Sequence, residues 1–209
     1  MSIAIDTETT LHDELILDGD AAAALFLEAR TANSWSDEEV SEQTLQAVYE
    51  LTKMGPTAMN IQPLRITWVR TPEARERLVA HMNEGNKAKT LGAPMVAVLS
   101  YTNEWHQLLP TVAPHMAGTM PMFEANAETR NHMALTNAHL QAGYFIVAAR
   151  AAGLAAGPMT GFDAAGLDAE FNAGTPNSSF MVVNLGKPNG VVDRERLHRL
   201  DFELATETL

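Results

Sequence analysis

The chain has 209 residues, a formal net charge of −12 at neutral pH and no cysteine. Its length suits one α/β or α+β domain with a sizeable core, and 46% hydrophobic with 19% charged residues is a globular composition rather than a disordered one. The lack of cysteine excludes disulfides, thiol catalysis and zinc–thiolate sites. The acidic balance argues against general nucleic-acid binding and against docking on anionic membranes.

Residues 1–17 are predicted to form an irregular acidic arm ahead of a single domain at residues 18–209. Residues 1–6 lack both a basic segment and a long apolar one, so we expect no signal peptide and a soluble, cytoplasmic protein. The longest uncharged run, residues 105–123, contains three prolines and two histidines and does not suit a membrane helix.

Two helices are predicted before the first strand. The first covers residues 20–30, with aspartates suited to its N-terminal end. The second covers residues 41–54. Its apolar residues recur at helical spacing and predict one buried stripe, formed by Leu45, Val48, Tyr49 and Leu51.

Arg30 directly follows the first helix and precedes Thr31, Ala32 and Asn33. Arginine presents a fork of N–H donors, and with hydroxyl and amide groups beside it this segment is a suitable cradle for a phosphate. On the residues alone, a solvated helix end with an arginine near the C-terminal dipole is the more common explanation.

Residues 55–63 form a proline-bracketed loop ahead of the first predicted strand. The loop carries the hydroxyl of Thr57 and the amides of Asn60 and Gln62, and the prolines leave these groups little freedom. Such a loop offers donors and acceptors to a planar ligand with polar edges. On spacing alone, a plain helix-to-strand connection whose side chains bond their own backbone is the more common structure.

The central part of the chain alternates between strands and a helix. Residues 65–70 predict a strand, and Thr71 with Pro72 begins a helix that continues to residue 82. The polar segment 83–89 then leads into residues 93–99, the clearest central strand. A lysine ahead of a buried strand is usually solvated. Residues 105–123 predict a long, proline-broken loop, and such loops are often lids or binding loops.

Residues 126–153 give the longest helical pattern. Residues 142–152 are apolar almost all round, which is typical of a helix buried in a core or a subunit interface. His132 and His139 fall on one side of this helix. No HExxH or carboxylate spacing accompanies them, so we predict core or interface histidines rather than metal ligands.

The last third of the chain is predicted to contain a glycine-flanked turn, a helix and a strand. The turn covers residues 157–162, where glycines would let backbone amides approach a ligand; a plain loop between helices is the alternative. A helix at 163–172 and a strand at 178–185 follow. The tail holds a basic cluster, which alone is typical of a solvated face: Arg194, Arg196, His198 and Arg199.

Several of these segments, in this order, resemble FMN-dependent nitroreductases. Residues 30–33 resemble the segment that holds the FMN phosphate and ribityl chain, and residues 56–62 resemble the Pro-Ser-Ser-x-Asn-x-Gln-Pro signature. Asn86-x-x-Lys89 resembles the pair at the pyrimidine edge, and residues 158–162 resemble the Pro-x-Glu-Gly turn near flavin N5. The resemblance implies these FMN-binding residues: Arg30, Thr31, Ala32, Asn33, Pro56, Thr57, Ala58, Asn60, Gln62, Asn86, Lys89, Pro158, Met159, Thr160, Gly161 and, on the phosphate, Arg199.

The resemblance also implies an architecture and an activity. The expected fold is α+β and nitroreductase-like, a mostly antiparallel central sheet flanked by helices, in a homodimer with FMN at the interface. The loop at 56–62 would reach the flavin bound mainly by the other subunit. The expected activity passes hydride from NAD(P)H through flavin N5 to a small-molecule acceptor. No catalytic side chain or metal is expected. Lys89 would tune the flavin by stabilising charge near N1 and C2=O, worth about 3 kcal/mol.

Longer matches narrow the resemblance to the subgroup that contains malonic semialdehyde reductase of pyrimidine degradation. They are Ala29-Arg30-Thr31-x-Asn33-x-Trp35, Lys89-Thr90-Leu91-x-Ala93-Pro94 and Gly157-Pro158-Met159-x-Gly161-Phe162-Asp163. The implied reaction is reduction of a 3-oxo acid to 3-hydroxypropanoate. The alternatives are a broad nitroaromatic or quinone reductase, a non-catalytic protein for flavin storage or sensing, and a domain that binds no flavin.

Two positions depart from the family pattern. Thr57-Ala58 replaces a serine pair and removes one hydroxyl, and Thr160 stands where many relatives have glutamate. The second change affects the handling of nicotinamide and substrate more than FMN binding, because the backbone still supplies the contacts to the flavin. No side chain is an evident proton donor. Solvent or a group on residues 105–123 would serve, with His106 and His115 as candidates.

Overall fold

The computed structural model describes residues 15–190 and 195–209 and contains a four-stranded sheet. Its strand order is β1-β2-β4-β3, and each neighbouring pair is antiparallel, which confirms the predicted α+β class. The first and last strands in this order are therefore the two edges of the sheet. The strands are β1 (Leu64–Val69), β2 (Met95–Thr102), β3 (Ala155–Met159) and β4 (Asn177–Gly186).

Helices flank this sheet. A short first helix continues as a π-helical turn at Ala23–Leu27, and 3₁₀ turns lie at Ala58–Asn60, Trp105–Leu108 and Pro114–Thr119. The α-helices of the described residues are α1 (Gly19–Ala22), α2 (Glu42–Thr52), α3 (Pro72–Ala80), α4 (Glu84–Leu91), α5 (Leu109–Val112), α6 (Met120–Ala125), α7 (Ala127–Ala151), α8 (Ala164–Phe171) and α9 (Phe202–Ala205).

Polar side chains begin most of the longer helices. Each accepts a hydrogen bond from the backbone N–H three residues later and so satisfies one of the unpaired donors of the first turn. A cap of this kind defines where a helix starts, and it explains why these helix starts could be predicted from the sequence. The capping residues are Asp18, Ser41, Thr71, Asn126 and Asp163.

The sheet separates two hydrophobic layers. On one face, α2 and α7 pack through Val48 and Phe145 on Met95, Ala97 and Leu99 of β2. The other face contacts α3 and α8 and includes the alternate residues of β2, Val96 and Val98 among them. Because side chains alternate between faces along a strand, β2 is buried on both sides. This double burial explains its continuous apolar sequence.

Most of the predicted regular elements are confirmed with small shifts at their ends. The strands predicted at 65–70, 93–99 and 178–185 are β1, β2 and β4. The helices predicted at 41–54, 71–82, 126–153 and 163–172 are α2, α3, α7 and α8. In these segments the spacing of the hydrophobic residues and the capping residues indicate the same structure. Because the two signals agree, the element can be predicted from the local sequence.

The predicted buried stripe of α2 is partly wrong. Leu45 and Val48 are buried, together with Thr52, and these three share one face at helical spacing. Tyr49 and Leu51 flank that face on either side and remain 48% and 49% exposed.

Three other segments differ from their prediction. The first helix ends in the π-helical turn at Leu27, so Arg30 lies in an extended segment beyond it. The polar segment at 83–89 is mostly helical and forms α4. The turn predicted at 157–162 begins inside an edge strand, β3, because an edge position tolerates the missing N–H of Pro158.

Residues 105–123 are not an open loop. They fold into short helices with their own small core, in which Trp105 and Phe123 pack at 4.7 Å between ring centroids. The indole Nε1 of Trp105 donates to the carbonyl of Arg130 at 2.9 Å. The prolines lie at the first positions of these helical turns, where no N–H is needed.

The two histidines of α7 are exposed, so the prediction of core histidines is wrong; their place in a subunit interface stays a prediction. Within residues 15–190 and 195–209, no group of three histidine or carboxylate side chains could hold a metal ion. No helix in this part of the chain is long and apolar enough to cross a membrane. Most of the predicted acidic arm, residues 1–14, and Arg194 lie outside the described residues.

Candidate functional site

The edge strand β3 is the axis on which the predicted site residues meet. Residues 31–32 run against its middle: a Cβ on Gly157 would lie 3.5 Å from the carbonyl oxygen of Ala32 and 3.8 Å from Cγ2 of Thr31. The following residues anchor this segment to the end of β4, since Ser36 N–H donates to the carbonyl of Lys187 at 2.9 Å. The structure thus fixes the segment that begins at Arg30 beside the turn that ends β3.

Helix α4 lies at the far end of β3. The Asn86 side chain donates through Nδ2 to the carbonyl of Gly161 at 3.0 Å, and the backbone N–H of Asn83 donates to the same oxygen at 3.0 Å. A Cβ on Gly161 would lie 2.9 Å from Asn86 Nδ2, so a larger residue at this position would have to displace the Asn86 side chain. These contacts bring together two segments that sequence reasoning had assigned to one ligand.

Lys89 follows Asn86 by one turn, and residues three apart share a helix face. It is half-buried, and its backbone carbonyl accepts a hydrogen bond from the indole Nε1 of Trp35 at 3.3 Å. Its amino group makes no ion pair with any residue that the structure describes. The far end of the site therefore has an available cation next to a fixed amide.

A cavity of about 820 Å³ lies at the near end of β3, around Ala155. Two glutamates, Glu28 and Glu195, also line it. The guanidinium groups of its arginines donate only to backbone carbonyls within the described chain, mostly those of residues 25–29. Four arginines line this cavity, and we call them the arginine cluster: Arg30, Arg150, Arg196 and Arg199.

The arginine cluster is electrostatically unusual in a protein with a net charge of −12. Desolvation and then repulsion from Arg30, Arg199 and Arg150 lower the pKa of Arg196 below its ordinary value. Desolvation also lowers the pKa of Arg150. A cluster of cations that has no carboxylate partner among the described residues suits a polyanion such as a phosphate.

Sequence reasoning missed two residues of this site, Arg150 and Asn184. Asn184 is 1% exposed, pairs with Gly157 across the β3–β4 ladder, and its side-chain oxygen has no hydrogen-bond partner among the described residues. Buried polar atoms normally find partners, so this oxygen suits a donor from a ligand. Its signal was an amide within the apolar run of residues 182–185. Arg150 had a similar signal, a lone charge in the apolar half of α7.

The loop at residues 55–63 does not join the other segments within one chain. It precedes β1, and β1 and β3 are opposite edges of the sheet. Its polar groups bond locally or to neighbouring elements: Asn60 Nδ2 donates to the carbonyl of Val112, and Ala58 N–H donates to Asn137 Oδ1, both at 2.7 Å. Thr57 Oγ1 accepts from Gln62 N–H at 3.3 Å. Pro56 and Ala58 are exposed.

The backbone of this loop is strained. Met59, Asn60 and Gln62 have positive φ values of 54°, 56° and 42°. Non-glycine residues rarely adopt this region, and a run of them costs free energy that tertiary contacts must offset.

The two histidines considered as proton donors also lie away from β3. His106 is 1% exposed and its Nε2 lies 2.5 Å from Glu124 Oε2, within the small helical core that includes Ile61. Hydrogen bonding to His106, and then the charges of His106 and Arg130, lower the pKa of Glu124. His115 is exposed on the neighbouring turn. Neither reaches the β3 site within one chain.

Comparison with known sequences identifies the relatives of this chain. A family model described as the nitroreductase family matches residues 28–187. A protein of Streptomyces coelicolor that is assigned as an NADH dehydrogenase/NAD(P)H nitroreductase is 51% identical over 195 residues. These residues cover 93% of this chain and 99% of that protein.

Solved structures share the fold. The Bacillus subtilis crystal structure ydfN, assigned as a nitroreductase, has a TM-score of 0.80 at 21% identity, over 88% of this chain and 97% of that one. A structure from Exiguobacterium sibiricum, assigned as a nitroreductase and solved in complex with FMN, has a TM-score of 0.77 at 15% identity, over 88% and 95%. These likenesses confirm the predicted nitroreductase-like fold. Together with the sequence matches, they show that the chain belongs to the nitroreductase family.

Proposed function

We propose that this protein is an FMN-dependent NAD(P)H oxidoreductase that binds its flavin along β3. Membership of the nitroreductase family makes it an oxidoreductase, and the FMN complex of a structure with the same fold supports the choice of flavin. One observation carries the proposal. The arginine cluster lies at one end of β3, and Asn86 with Lys89 lies at the other.

The residues of the site fit an elongated ligand with one anionic end. Four strand steps separate Ala155 from Met159, a length of about 13 Å. The arginine cluster would hold the phosphate, and Thr31, Asn33 and the unpartnered oxygen of Asn184 would face the ribityl hydroxyls. At the far end, Asn86 and Lys89 would bind the pyrimidine edge, and the backbone of residues 158–161 would lie along the ring. The hydrogen bond from Asn86 to the carbonyl of Gly161, which holds α4 beside this turn, supports this assignment.

We propose a homodimer in which a second copy completes each site. The loop at 56–62 is distant from β3 within one chain, has an unusual backbone with positive φ values, and carries exposed residues. Large apolar side chains nearby are also exposed, which is typical of a subunit interface. They lie on or next to α2 and α7, two helices that pack together: Tyr49, Leu51, Met54, Leu140 and Tyr144.

A bound flavin would supply the two-electron redox chemistry that the side chains of this chain lack. Lys89 would place a positive charge against the ring edge and so stabilise negative charge that develops on reduction. Asn86, held by Gly161, would fix the orientation of the ring. Thr160 offers no carboxylate at the turn, so we expect protons to come from solvent. An unpaired Lys89 supports turnover over storage or sensing, because holding oxidised flavin does not need this charge.

We further propose a 3-oxo acid such as malonic semialdehyde as the acceptor, supported by the longer matches around Arg30, Lys89 and Gly157. The second candidate is a broad nitroaromatic or quinone reductase, which the names of the relatives favour. Anaerobic stopped-flow absorbance separates the two. After reduction by NADH or NADPH, fast reoxidation by malonic semialdehyde and slow reoxidation by nitrofurazone supports the first candidate. Reoxidation by nitro compounds and quinones alone would replace it with the second.

A further inference from the structure

Arg150 is the one member of the arginine cluster that belongs to a regular element of the core. It lies in the last turn of α7, and its side chain reaches the carbonyl of Leu25 at 2.9 Å, across the gap to the π-helical turn. A cation at a helix C-terminus commonly interacts with the carbonyls of its own last turn. Arg150 instead crosses to another segment and lines the cavity. Its position therefore needs an explanation beyond the helix dipole.

The other arginines gather on the same short stretch of backbone. Arg196 donates to the carbonyls of Phe26, Leu27 and Ala29, and Arg30 donates to two of these carbonyls, those of Leu27 and Ala29. Desolvation first, and then the charges of Arg30, Arg199 and Arg150, lower the pKa of Arg196, in agreement with four guanidinium groups that line one cavity and repel one another. Backbone carbonyls carry only partial charge, so they offset this repulsion incompletely. A bound anion would remove the rest.

The charge of the cavity lining matches one phosphate monoester. Among the lining residues that the structure describes, four arginines and two glutamates, Glu28 and Glu195, leave two unbalanced positive charges. A phosphate monoester carries a charge of about −1.5 to −2 at neutral pH. Without Arg150 only one positive charge would remain unbalanced.

We infer that Arg150 binds the phosphate of the flavin together with Arg30, Arg196 and Arg199, and that it contributes to the preference for FMN over riboflavin. This inference rests on the proposed FMN binding and adds a residue from α7 to the site. The competing explanation is that Arg150 only braces the π-helical turn through Leu25. A brace would support the binding of both flavins equally, whereas a phosphate ligand favours FMN alone.

The test compares FMN and riboflavin affinity in Arg150→Gln, measured by fluorescence titration of flavin-free protein. We expect the affinity for FMN to fall about 10- to 100-fold, the range for a lost charged hydrogen bond, and that for riboflavin to change less than about two-fold. Arg77→Gln is the matched control, because Arg77 pairs with Glu170 on the surface and does not line the cavity. Unchanged FMN affinity, or an equal loss for both flavins, would overturn the inference.

A second measurement avoids any dependence on flavin. Inorganic phosphate, at constant ionic strength, should raise the unfolding temperature of the flavin-free wild type and raise it less in Arg150→Lys, which keeps the charge but loses the planar fork. Equal shifts in both proteins would contradict the role of Arg150. This test remains available if Arg150→Gln fails to fold, because it uses Arg150→Lys. A different result would contradict the proposed function itself. If the wild type binds neither FMN nor riboflavin, the proposed function is wrong, whatever the variants do.

Discussion

Lys89 is the residue on which the proposed chemistry depends most. It occupies the same helix face as Asn86, whose amide is fixed on the carbonyl of Gly161, and its amino group has no carboxylate partner among the described residues. A lysine ahead of a buried strand is ordinarily a solvated residue. Helix α4 changes that interpretation, because it turns Lys89 towards the strand end where the flavin ring would lie.

Lys89→Met should leave FMN bound but slow its reduction by NAD(P)H about 100-fold, since a preorganised charge is worth about 3 kcal/mol to a developing anion. Anaerobic stopped-flow absorbance measures the rate. Lys87→Met is the matched control, because Lys87 lies two residues earlier and pairs with Glu84 at 2.8 Å. Equal rates in the two variants would contradict the role of Lys89.

Gly161→Ala should weaken FMN binding at least about 10-fold, because the new Cβ would lie 2.9 Å from Asn86 Nδ2 and displace the side chain that orients the ring. Equilibrium titration with FMN checks this loss. The control is Gly85→Ala on the same helix, where a Cβ meets nothing within 4 Å. That change should stabilise α4 by about 0.5–1 kcal/mol and leave binding intact. Normal FMN affinity in Gly161→Ala would contradict the proposed role of Asn86 in FMN binding.

At the scale of elements, β3 and α4 show why the family resemblance could name candidate site residues although the local sequence did not predict the structures that hold them. The segment Ala155-Ala156-Gly157-Pro158-Met159 lacks β-branched residues and contains a proline, so it does not have the pattern of a strand. Tertiary pairing with β4 makes it one. Residues 84–91 lack an apolar stripe, and their contacts with Gly161 and Trp35 depend on segments distant in sequence. By contrast, β2 is buried on both faces of the sheet. Its sequence is therefore continuously apolar, and this composition was enough to predict the strand.

The small helical core at residues 105–125 should show acid-dependent stability through Glu124. Its pKa is lowered in the folded state, first by the hydrogen bond with His106. A lowered pKa means that the stabilising contribution is present above the ordinary value of 4.5 and is lost as the pH falls below it. Glu124→Gln should therefore unfold at a lower temperature than the wild type at pH about 7, and the difference should shrink at pH about 3.5.

Thermal unfolding monitored by circular dichroism at both pH values measures this difference. Glu39→Gln is a suitable control, because Glu39 is exposed and has no hydrogen bond or ion pair within the described chain. The same unfolding temperature for Glu124→Gln and wild type at neutral pH would show that the His106–Glu124 contact contributes nothing to stability.

At the scale of the whole molecule, one chain holds most of the proposed site but leaves it open. The arginine cluster, α4 and β3 converge within the chain, whereas the loop at 56–62 lies at the opposite edge of the sheet. The family resemblance implied that this loop serves the flavin of the other subunit, but the residue pattern of the loop itself does not predict it. The separation of these two groups of residues follows from the strand order, a long-range property of the fold. A homodimer accounts for both the separated loop and the exposed apolar residues of α2 and α7.

Leu140→Glu should therefore convert a dimer into monomers and abolish FMN retention, because it places a charge in the proposed interface. Size-exclusion chromatography with light scattering reports the mass, and absorbance of the eluted peak reports the flavin. Ala169→Glu, an exposed change on α8, is the control and should stay dimeric. A Leu140→Glu variant that remains dimeric would place the interface elsewhere.

The most direct test of the central claim is a crystal structure of the protein reconstituted with FMN. The account predicts one flavin along each β3, its phosphate on the arginine cluster, its pyrimidine edge on Asn86 and Lys89, and the 56–62 loop of a second copy against the ring. A flavin bound away from β3, or a phosphate that contacts none of the four arginines, would contradict it.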